Sequence, residues 1–80
     1  MFYGIYVTSS RVDSFDNSIR TNQGWRGDYR FNCFRDALSH LQNCFDELCA
    51  DGWECSFNNS CTLVGTRNSS ERITYHIEKR

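Results

Sequence analysis

Five cysteines and two histidines are the side chains of this 80-residue chain best suited to chemistry of their own. His40 and Cys44 stand four residues apart, a spacing that can chelate from one face of a helix, with Cys33 or Cys49 joining. Structural zinc sites usually pair their ligands as Cys-x-x-Cys, and no such pair occurs. A Cys–His nucleophile needs its base held at the thiol. Nothing in the spacing holds His76 near a cysteine or builds an oxyanion site. The expectation is therefore no metal, no cofactor and no catalytic residue. An odd cysteine count without an export signal also speaks against a disulfide framework, so all five thiols read as reduced core or near-core residues.

A second set of residues is suited to binding. Between residues 11 and 35 lie Arg11, Arg20, Arg26, Arg30 and Arg35, interleaved with Phe15, Trp25, Tyr29 and Phe31. Trp, Tyr and Arg dominate binding hot spots, so Arg20, Trp25, Arg26, Tyr29 and Arg30 are candidate partner contacts. The tripeptide Arg26-Gly27-Asp28 spells an integrin motif, but without export it reads as a turn that needs its glycine. The following stretch, Asp36 to Glu54, has five acidic residues and no Lys or Arg. Asp36, Asp46, Glu47 and Asp51 on that helix are further candidate contacts, suited to a basic groove. The net charge of −1 and a single lysine supply little phosphate neutralisation, which places direct nucleic-acid binding second to protein binding.

These residues need elements to position them. "FYGIYVT", residues 2 to 8, is aromatic and β-branched, hence a strand. In residues 33 to 50, Phe34, Ala37, Leu38, Leu41, Phe45 and Leu48 recur at helical spacing, with Asn32 expected as the cap and Gly52 as the stop. Strands follow at "WECSF", "CTLVGT" and "ERITYHIEKR", joined at Asn58-Asn59-Ser60 and at "RNSS". A three-residue first loop would set Phe57 opposite Cys61 and Cys55 opposite Leu63. The long connecting segment 9–31 is expected to form a partial hairpin, "SIRT" to "WRGDYRF", around Asn22-Gln23-Gly24. The sum is a single domain, 1–80, of α+β class: one helix on a mainly antiparallel sheet of four or more strands.

From residue 37 the chain reads "ALSHLQNCFDELCADGWE" and then strands ending in "IEKR". That pattern resembles short uncharacterised bacterial and phage domains in which a helix runs through Glu/Asp-Gly-Trp-Glu into a strand; Asp51-Gly52-Trp53-Glu54 is the matching tetrapeptide. The resemblance implies no activity, and the segment 9–31 departs from it. In type, a small motif-free chain with segregated charge is similar to phage inhibitors such as anti-CRISPR proteins. The expectation is a non-enzymatic interaction protein that blocks a nucleic-acid-handling complex, its partner a protein or ribonucleoprotein. A small RNA- or DNA-binding module using residues 20–35 is the alternative. The opening "MFYGIYVTSSR" reads as neither signal peptide nor membrane anchor, which gives the expectation of a cytoplasmic protein without membrane contact.

Overall fold

The computed structural model describes residues 2–13, 15–27 and 29–79. Strands β1 (Tyr3–Val12) and β2 (Ile19–Trp25) precede the helix α1 (Phe34–Ala50), and β3 (Glu54–Asn59), β4 (Thr62–Arg67) and β5 (Glu71–Lys79) follow it. The strands form one antiparallel sheet in the order β2-β1-β5-β4-β3, and α1 packs on one face. The fold is α+β, as the apolar patterning implies. The helix meets β1, β3, β4 and β5 but does not reach β2. The far end of the β1–β2 hairpin therefore extends past the covered core, in a molecule 43 Å long and 22 Å wide.

Alternation sets which side chains meet the helix. Tyr3, Ile5 and Val7 of β1 sit in register with Lys79, Ile77 and Tyr75 of β5, and Tyr75 with Leu63 of β4. Ile5, Leu63, Tyr75 and Ile77 close over Ala37, Leu41, Cys44 and Leu48 as the core. The buried helical stripe is thus centred on Ala37, Leu41 and Cys44. The expected stripe is rotated: Phe34 is exposed, Leu38 and Phe45 are half-buried, and Cys44 is central rather than marginal. Large side chains at Phe34 and Phe45 lie at the rim, edge-on to Tyr3 at 6.0 Å and stacked on Phe57 at 5.5 Å. Gly65 lets the helix approach, since a Cβ there would stand 3.2 Å from Ile73 Cγ2 and 3.4 Å from Leu48 Cδ1.

The two helix ends differ in quality. Asn32 does not cap the N-terminus: Cys33 occupies that position with extended backbone and makes no side-chain cap bond. The C-terminus closes as expected. Gly52 takes φ +88°, and the amides of Gly52 and Trp53 donate to the carbonyls of Cys49 (3.1 Å) and Leu48 (3.0 Å), the paired bonds of a Schellman stop.

Segment 9–31 is the largest departure from expectation. About half of it is sheet: β1 runs on to Val12, the Asp13 amide donates to Ser18 across the turn, and β2 returns with Arg11 opposite Arg20 and Val12 opposite Ile19. Asn22, Gln23 and Gly24 lie inside β2 rather than at a turn. The turn chemistry is local. Asp13 accepts the Phe15 amide at 2.9 Å, Asp16 accepts that of Ser18 at 3.0 Å, and Asn17 takes φ +57°. Between β3 and β4 the register is two residues off the expected one: Phe57 faces Leu63 and Cys55 faces Gly65. An irregularity between Phe57 and Asn59 absorbs the difference, and the shift of two keeps every side chain on its expected face.

Candidate functional site

The candidate contacts of segment 20–35 divide between opposite faces of the sheet. Trp25 and Arg26 are neighbours in an extended chain, so their side chains diverge. Trp25 lies on the face away from the helix, edge-on to Tyr6 with ring centroids 5.3 Å apart. Arg26 turns toward the helix, where its Nε–H donates to His40 Nε2 at 3.2 Å and its Nη2 lies 3.5 Å from Glu47. Its guanidinium also sits 5.5 Å from the Tyr75 ring centroid.

Backbone geometry explains this placement. The Arg26 amide donates to Ile5 and the Phe31 amide to Tyr3, so residues between them loop out from the sheet edge. Gly27 at φ +59° turns that loop. Tyr29 packs 5.9 Å from Phe31 and 4.5 Å from His40. Arg26-Gly27 is therefore part of a turn whose arginine folds onto the helix; Asp28 lies outside the described residues. Arg26 is half-buried against the helix, whereas Tyr29, although packed on Phe31 and His40, stays exposed, as does Arg30.

The cluster also decides the histidine. Burial pulls the His40 pKa below its ordinary 6.5, and the Arg26 charge lowers it further. A neutral ring with Nε2 as acceptor suits the Arg26 contact. That nitrogen is then occupied, and Cys44 is sealed in the core with its thiol pushed up chiefly by burial. Among the described residues no three His, Cys, Asp or Glu side chains form a group that could hold a metal ion. His76 instead shares a 2.7 Å hydrogen bond with Thr62 Oγ1. Of the thiols, Cys44 is buried and Cys55 and Cys61 half-buried; Cys33 and Cys49 are exposed, contrary to the near-core expectation. The helix ends explain them: one cysteine is at the N-cap, the other in the last turn.

The hairpin end brings together residues that periodicity did not single out. Val12 and Ile19 face each other across the ladder on the face without a helix, and Phe15 crowns the turn. Ile19 is 69% exposed and Phe15 fully exposed, an apolar tip with nothing packed on it among the described residues. Behind it, on the helix-facing side, Arg11 stands opposite Arg20. Phe15 in "VDSFDNSI" was the available signal: an aromatic residue between Asp, Ser and Asn marks an exposed turn.

Asp36, Asp46 and Asp51 are exposed, and Glu47 is largely so despite its contact with Arg26. The last turn of α1 contains no basic residue, so Asp46, Glu47 and Asp51 crowd the negative end of the helix dipole. That arrangement works against the helix and leaves a negative field at the same end of the sheet as the hairpin tip. Among the described residues no helix is long and apolar enough to cross a membrane. No family model, curated protein or solved structure matches this chain.

Proposed function

We propose that the chain is a non-enzymatic binding module that acts by occupying a surface on a partner protein or ribonucleoprotein. The apolar hairpin tip carries this reading. A small domain that leaves Phe15 fully exposed and Ile19 largely so, at the end of a two-stranded arm, holds apolar surface with no role in its own core. The acidic end of α1 specifies the chemistry of the partner as basic, which suits a component of a nucleic-acid-handling complex that the protein would block. Trp25 beside Tyr6, with Arg20, Tyr29 and Arg30, extends the contact surface; Arg26 supports it from the helix side.

Capture experiments with the tagged chain test this reading when run with nuclease and with a Phe15→Ser/Ile19→Thr variant. The expected result is a partner retained by the wild type, insensitive to nuclease and lost with the variant. Retention that disappears with nuclease, or that the variant preserves, contradicts it. The first of those outcomes would favour the nucleic-acid module.

A further inference from the structure

Two adjoining cavities of about 330 and 360 Å³ open on the helix-facing side of the hairpin, and both are lined by Arg11 and Arg20. The first adds Asp13 and Ser70; the second adds Ser9, Asn22, Glu71 and Trp53. We infer that this double cavity binds the phosphate group of a nucleotide-sized ligand, held between Arg11 and Arg20.

The charge arrangement carries the inference. Arg11 and Arg20 are direct cross-strand partners, flanked by positions whose backbone groups bond across the ladder. Their Cα atoms are then about 5.5 Å apart, and like charges so opposed destabilise a sheet. The carboxylates at hand offset this only in part. Asp13 pairs with Arg20 at a long 3.8 Å, and Glu71, opposite Arg11, is drawn to Arg67 at 2.9 Å. Arg11 has no ion pair among the described residues.

A carboxylate brings one negative charge, and Asp13 and Glu71 each already share theirs with an arginine. A phosphate carries up to two charges and three free oxygens, and can accept from two forks at once. The second cavity gives the rest of such a ligand a place to lie. Trp53 offers an aromatic edge, steadied by Arg67 with its guanidinium 4.5 Å from the ring centroid, and Asn22 and Ser9 offer amide and hydroxyl groups. Both are open depressions of the surface, wide enough to admit such a ligand without enclosing it.

Amide and indole N–H chemical shifts of the intact chain test the site during titration with a nucleoside 5′-monophosphate, inorganic phosphate and the unphosphorylated nucleoside. The monophosphate should move Arg11, Arg20, Ser70 and the Trp53 indole saturably, phosphate more weakly, and the nucleoside not at all. Arg11→Gln and Arg20→Gln should each weaken binding about tenfold or more, and the Lys variants less. Arg11→Gln should not lower Tm in phosphate-free buffer, because it removes a repulsion and no ion pair. Phosphate binding as tight as the nucleotide's would overturn the nucleotide assignment. A nucleoside that binds equally well, Gln variants that bind like the wild type, or the absence of saturable shifts would overturn the site itself.

Discussion

At the scale of single residues, the structure turns several positions into measurable expectations. Cys33 holds the N-cap with a side chain that accepts from no amide, so Cys33→Ser should raise stability by about 0.5–1 kcal/mol in chemical denaturation. At Gly65 a methyl group would press on Ile73 and Leu48. Gly65→Ala should therefore destabilise by about 1–3 kcal/mol, and a gain in stability would contradict the packing described. His40 sets a pH dependence. Its folded pKa lies below the unfolded 6.5, so the unfolded state takes up a proton first as pH falls. The stability it supports is full above pH 6.5 and declines as pH drops through its folded pKa. Denaturation midpoints in His40→Gln should be flatter over that window. Residue types announced little of this cluster. His40 reads as a solvated or ligating residue until the loop after β2 places Arg26 against it, and that placement depends on a backbone turn at Gly27 rather than on periodicity.

At the scale of elements, long apolar patterns were legible and edges were not. The helix, its stop at Gly52 and the inward set Ile73, Tyr75 and Ile77 follow from spacing alone, because burial of one face leaves little freedom. The β1–β2 hairpin was hidden. Beyond Val7 its strands read Thr-Ser-Ser-Arg and Arg-Thr-Asn-Gln, with little apolar alternation since no helix covers β2. The Asp13–Ser18 turn residues were the better signal. The end of α1 carries its own expectation. Asp46→Lys and Asp51→Lys should each stabilise by about 0.3–1 kcal/mol, by relieving repulsion at the dipole's negative end. The same changes should slow association with a basic partner and weaken its salt dependence.

At the scale of the whole molecule, one end of the sheet combines an apolar tip, an opposed arginine pair and an acidic helix end, while the core lies toward the other end. A chain of this length buries only about 60% of its unfolded surface, so features that spend stability without serving the core are informative. The central claim is that the hairpin tip meets a protein. A photo-crosslinking phenylalanine analogue at Phe15, compared with the same analogue at Ser56 on an edge strand, tests it most directly in cells that contain the target. A discrete protease-sensitive adduct is expected from position 15 and none of comparable yield from position 56. No adduct at 15, equal adducts at both positions, or an adduct that nuclease removes would contradict it.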